Sequence, residues 1–216
     1  MKVNHIAKTS SILNKFMMEI RDENIQKDSM RFRRNLERVG EVLSYEMSKT
    51  LNYSNKSVKT SLGVKEIYLH DNDIVLCSIL RAGLPLHRGI LNYFDDVENA
   101  FISAYRKVKK DGSFTIEVEY FASPTIENKI LFLADPMLAT GRSLVSTYKA
   151  LLSHGNPREL HIFSVIASTQ GISYIKKHLP ENATLWVADI DDEMNSKDYI
   201  VPGLGDAGDL AFGTKI

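Results

Sequence analysis

Asp135 stands a short way ahead of Ala139, Thr140, Gly141 and Ser143, and residues of these types in this order could hold a sugar phosphate. Small residues and hydroxyls in a turn that opens a helix let backbone N–H groups converge on one anion. The carboxylate before them could accept hydrogen bonds from sugar hydroxyls. Arg81, followed by Ala82 and Gly83, brings a planar fork of donors beside a residue whose backbone adopts angles closed to others, which suits a diphosphate. The third group is Gly203, Gly205 and Gly208 around Asp206. That segment has too many glycines for a helix or central strand and too few polar residues for a loose terminus. It reads as a shaped wall that offers its own N–H and C=O groups to a flat ligand.

These groups need elements to carry them. Ile130 to Leu133 is a continuous apolar run, the pattern of a strand buried on both faces of a parallel sheet, and Pro136 removes a ladder donor just after it. Leu144, Tyr148, Leu151 and Leu152 then predict a helix that begins near Ser143. Ile74 to Ile79 predicts a second buried strand ending just before Arg81, with a helix over 84–93 behind it. Further strands are expected at 100–106, 160–167 and 183–190, and a short helix at 171–179 closed by Pro180. Such alternation over 73–190 specifies a parallel α/β sheet.

Ahead of the sheet, helices are expected at 11–20 and 28–49, the second from Phe32, Leu36, Val39, Val42, Leu43 and Met47. That apolar stripe would suit a dimer interface. Ser57 to Leu69 reads as two short strands or a hairpin broken at Gly63. Lys107 to Gly112 is a basic stretch ending in an Asp-Gly turn signal, and the alternation from Phe114 to Phe121 predicts a returning strand. It fits a lid over the diphosphate site, the alternative being a solvated hairpin whose lysines guard an edge. We divide the chain into a helical region 1–56, an α/β core 57–190 and a tail 191–216, within one domain.

Composition sets the remaining bounds. With 27 basic and 27 acidic side chains the net charge is zero, so no global field favours nucleic acid or an anionic membrane. The sole cysteine, Cys77, lies in an apolar run and reads as a core thiol. No secretory core or membrane-length apolar run is present, which makes the cytoplasm the expected location. His70, His87, His154, His161 and His178 show no metal-ligand spacing.

The nine residues Asp135 to Ser143 closely resemble the phosphoribosyl-diphosphate (PRPP) loop of uracil phosphoribosyltransferases. Ile79 to Gly83 resembles the family's Ile-Leu-Arg-Ala-Gly, Tyr105-Arg106 its Tyr-Arg pair, Arg21-Asp22 with Phe32-Arg33 its opening, and Tyr199 to Asp209 its base-binding tail. The resemblance implies transfer of a 5-phosphoribosyl group from PRPP to N1 of uracil, with Mg²⁺ held mainly by PRPP and water. It further implies a self-associating enzyme and leaves GTP as an open effector. It assigns PRPP to a set that includes Pro136 and Asp206, with the 5-phosphate on Met137, Leu138, Ala139, Thr140, Gly141, Arg142 and Ser143, the ribose hydroxyls on Asp135, and the diphosphate on Arg81 and Arg106. Ile200, Gly205, Asp206 and Ala207 would read uracil, Tyr199 would lie against the ribose, and Asp135, Asp206 and Arg81 would form the catalytic set. Arg142 and Leu210 depart from the family pattern, which more often has glycine and a basic residue there. A phosphoribosyltransferase for another base, or a nucleotide-binding regulatory sibling, shares most of these features.

Overall fold

The computed structural model describes residues 1–108 and 114–215, and side chains outside 104–119. Strand β1 (Lys2–His5) leads into helices α1 (Ile12–Arg21) and α2 (Ser29–Ser48), then the hairpin β2 (Tyr53–Lys59) and β3 (Val64–His70). Next come β4 (Ile74–Leu80), α3 (Gly83–Leu91), β5 (Glu98–Val108), β6 (Phe114–Ala122) and β7 (Ile130–Ala134). A short β8 (Met137–Leu138) precedes α4 (Arg142–Leu151), β9 (Glu159–Ser168), α5 (Thr169–His178) and β10 (Thr184–Asp191). The tail holds β11 (Glu193–Met194), β12 (Ile200–Val201) and α6 (Ala207–Phe212).

Among the described residues, one sheet runs in the order β1-β10-β9-β7-β4-β5-β6, with β8 added against β9. All pairings in it are parallel except β5 with β6. The apolar runs that predicted the strands are buried on both faces, because helices cover the two sides. Alternate residues divide between them: Leu76, Phe132 and Phe163 pack with α1, α2 and α3, while Val75, Leu131 and Ile162 pack with α4 and α5. Cys77 sits in the second layer, where burial pushes its thiol up to about 12 and leaves it inert.

Local chemistry fixes the helix starts. Ser11 and Asn14 form a capping box on α1. The Asp28 carboxylate accepts the Met30 and Arg31 amides at the head of α2, both at 3.1 Å.

Several features differ from the sequence expectation. Lys2 to His5 forms an edge strand beside β10, too short and too polar to show a period of its own. The stripe Phe32, Leu36, Val39, Leu43 and Met47 is buried inside the chain and not offered to a second copy. Exposed apolar side chains lie instead on the β2–β3 hairpin, where Leu62 is 98% and Val64 71% exposed. The tail does form a helix despite Gly208, since Asp206 caps α6 and Ala207 and Ala211 bury against the core. No described helix is long and apolar enough to cross a membrane.

Candidate active site

β4 and β7 are parallel neighbours with Ser78 opposite Ala134, so Arg81 and Asp135 emerge at the same carboxyl edge of the sheet. Ligands of open α/β sheets bind at such an edge. The Leu80–Arg81 peptide bond there is cis. A cavity of about 600 Å³ opens above it, lined by Arg81, Asp135, Met137 and Ser143 on the sheet side and by Tyr199, Gly205, Asp206 and Ala207 from the tail. A smaller recess of about 80 Å³ shares Asp135, Met137 and Ser143 and adds Leu138, Ala139, Thr140 and Gly141.

The loop around the small recess is bolted to its neighbours. Asp135 N–H donates to Phe163 O at 3.0 Å, and the Pro136 carbonyl accepts Val165 N–H at 3.1 Å and Ile166 N–H at 3.0 Å. Met137 and Leu138 then pair with Ile166 and Ala167, and the Ser168 hydroxyl donates to Ala139 O at 2.6 Å. Gly141 caps α4 with φ +74°, and a Cβ there would lie 2.9 Å from the Ile175 side chain and 3.0 Å from Gly171 O. Only glycine accepts both conditions. The first-turn amides of α4 have no partner within the helix, so the recess can receive an anion.

Asp135 accepts the Met137 N–H at 3.2 Å. Burial pushes its carboxyl up to about 6, against the pull of that amide. An acid so shifted at the mouth of a cleft marks a candidate functional group.

The tail touches the Arg81 loop directly. Asp206 accepts Asp209 N–H at 3.0 Å, and Arg81 Nη2 donates to Asp209 Oδ1 and Gly213 O, both at 3.2 Å. Each side chain of the Arg81–Asp209 pair is about one-third exposed, so it contributes roughly 0–1 kcal/mol. An anionic ligand offering several charge-assisted bonds of about 1.5–3 kcal/mol each could compete with it.

Among the residues singled out in the sequence, Arg81, Asp135, Met137, Ser143, Tyr199, Gly205, Asp206 and Ala207 line the large cavity, and Leu138, Ala139, Thr140 and Gly141 the small one. Pro136 turns its carbonyl into the sheet and lines neither, and Arg142 is exposed outside both. Ile200 is buried in the core below the tail, and Leu210 packs against the same core. The side chain of Arg106 and the proposed lid tip at 109–113 lie outside the described residues.

Sequence reading missed Lys197 and Lys215, two cations that also line the large cavity. Their position next to Tyr199 and near the end of the tail was the only available signal. It also missed the buried partners of Arg21, described below. Among the described residues no three His, Cys, Asp or Glu side chains cluster as a metal cage. The cavity does supply single carboxylates, Asp135 and Asp206, of the oxygen type a divalent cation prefers.

Comparison with known proteins follows the same lines. The family model for uracil phosphoribosyltransferase matches residues 7–214. The uracil phosphoribosyltransferase of Porphyromonas gingivalis is 54% identical over 216 residues, covering 100% of both chains. That of Thermococcus gammatolerans is 38% identical over 210 residues, covering 96% of this chain and 92% of its own. A solved Aquifex aeolicus protein superposes with a TM-score of 0.87 at 27% identity over 99% of both chains. A hypoxanthine phosphoribosyltransferase from Staphylococcus aureus, at 15% identity and a TM-score of 0.51 over 74% of each chain, shares the fold alone.

Proposed function

The chain belongs to the uracil phosphoribosyltransferase family, and from that footing we propose how its residues perform the reaction. The enzyme transfers the 5-phosphoribosyl group of PRPP to N1 of uracil, giving UMP and diphosphate, a step of pyrimidine salvage. A bond forms between N1 and the anomeric carbon, the bond from that carbon to the diphosphate oxygen breaks, and the N1 proton is released.

The transition state at the anomeric carbon resembles an oxocarbenium ion, so alignment and charge placement carry the catalysis and no covalent nucleophile is needed. In our assignment the small recess seats the 5-phosphate on the backbone of Met137 to Ser143. Asp135 holds the ribose hydroxyls as a carboxylate, and its negative charge faces the developing positive charge of the sugar. Arg81 and Arg106 grip the leaving diphosphate. Gly205 and Ala207 present backbone groups to the uracil edge, with Tyr199 against the ribose and Asp206 between base and donor. Mg²⁺, when bound through diphosphate oxygens and water, supplies further neutralisation of the leaving group.

The observation that carries this reading is the single cavity shared by Arg81, Asp135 and Ser143 on one side and Asp206 and Ala207 on the other. The test is diphosphate release from PRPP and Mg²⁺ with a panel of bases. Uracil should give UMP, with cytosine, hypoxanthine and adenine inactive. Turnover with a purine alone, or with no base, would overturn it. We also assign a homodimer or larger assembly, supported by the exposed apolar hairpin β2–β3.

A further inference from the structure

Arg21 closes α1 and reaches into a knot of hydrogen bonds beneath the tail. Its Nη1 donates to Asp191 Oδ2 at 2.8 Å and to Gly203 O at 2.9 Å. Its Nη2 donates to Asp191 Oδ1 and Asp189 Oδ2, both at 2.9 Å. From the other side, Gly203 N–H donates to Asp191 Oδ2 at 3.1 Å, and His5 Nε2 lies 3.0 Å from Asp189 Oδ1. The Asp191 side chain is 8% exposed and that of Arg21 20%, so water competes little for these bonds.

A buried ion pair is weak grounds for stability, because the cost of desolvating both charges offsets their attraction. What this one fixes is a position. Both main-chain polar groups of Gly203 are taken, its C=O by the guanidinium and its N–H by the carboxylate. Gly203 follows the cis Val201–Pro202 bond at φ +59°, and lies two residues ahead of Gly205, where the tail returns to the cavity wall after Tyr199. Neither Arg21 nor Asp191 is among the residues lining the cavity.

We propose that Arg21 and Asp191 are positioning residues for base recognition, clamping Gly203 at both its N–H and C=O so that Gly205 to Ala207 stand at a fixed distance from the sugar-phosphate loops. This rests on the reading of the tail as the uracil wall. The clamp is built on α1 and β10, whereas the Arg81 and Thr140 loops follow β4 and β8.

Asp191→Asn keeps the shape and an acceptor but removes the charge, and Arg21→Lys keeps the charge but not the fork. Steady-state kinetics with both substrates varied should show the KM for uracil raised about tenfold or more in each variant, with the KM for PRPP little changed. Hydrogen exchange at the 203–207 amides should quicken while that of β9 stays as it was. A folded variant with an unchanged uracil KM, or with both KM values raised alike, would overturn the proposal. So would collapse of both variants, which would assign the knot to the fold. Failure of the unaltered enzyme to use uracil would instead remove the reading on which the clamp rests, an outcome visible before any variant is made.

Discussion

In the proposed assignment Asp135 acts as a carboxylate accepting hydrogen bonds from ribose hydroxyls, yet its surroundings favour the neutral acid. With its carboxyl raised to about 6, the KM for PRPP should climb as pH falls through that value, and a profile of KM against pH will show it. The same shift acts on stability with a definite sign. The neutral side chain favours the folded state, a contribution full below the ordinary carboxylate value of 3.8 and lost as pH rises through about 6. Asp135→Asn should therefore abolish turnover while raising stability above pH 7, read by thermal unfolding at pH 8. Unfolding unchanged at pH 8 would contradict the burial argument, and retained turnover the catalytic one. Asp135 was legible in the sequence because it follows an apolar run and precedes a helix signal. Arg21 was not: its carboxylate partners lie 168 and 170 residues away, and no local pattern announces so distant a pair.

The elements divide in the same manner. β4, β7, β9 and β10 were legible from largely apolar runs, and α2 from its stripe, since burial on one or both faces writes itself into residue order. The tail was legible as a shaped segment but not in its structure. Its glycines argued against helix, yet the Asp206 cap and the burial of Ala207 and Ala211 outweigh the cost of one helical glycine, about 1 kcal/mol. Gly203 decides the course of that tail: a Cβ there would stand 2.1 Å from Ile200 O, in a left-handed conformation. Gly203→Ala should cost about 2 kcal/mol or more in thermal unfolding and raise the uracil KM, with the PRPP KM less affected. A neutral result in both would show that the turn can be rebuilt at no cost.

For the whole molecule, net charge zero leaves the substrates to be gathered by local groups, and the cavity sets Arg81, Lys197 and Lys215 against Asp135, Asp198 and Asp206. The apolar stripe of α2 was read as a contact between copies, but the sheet needed a cover and took it. Hydrophobic pattern alone cannot tell an inner partner from an outer one. The β2–β3 hairpin leaves Leu62, Val64 and Tyr68 in solvent, more apolar surface than an isolated hairpin in water would be expected to keep. Sedimentation should find the protein above monomer mass, and Leu62→Asp with Val64→Asp should lower that mass without shifting the unfolding of the sheet. A monomer at all concentrations would refute self-association.

The strand formed by Lys2 to His5 has a practical meaning for anyone handling this enzyme. His5 rests against Asp189 in the knot that holds Gly203, while Lys215 looks into the cavity itself. Purification labels and fluorophores joined close to either of these residues would thus sit within reach of the chemistry, and a long flexible spacer, or a surface site on α5, is the gentler place to attach them.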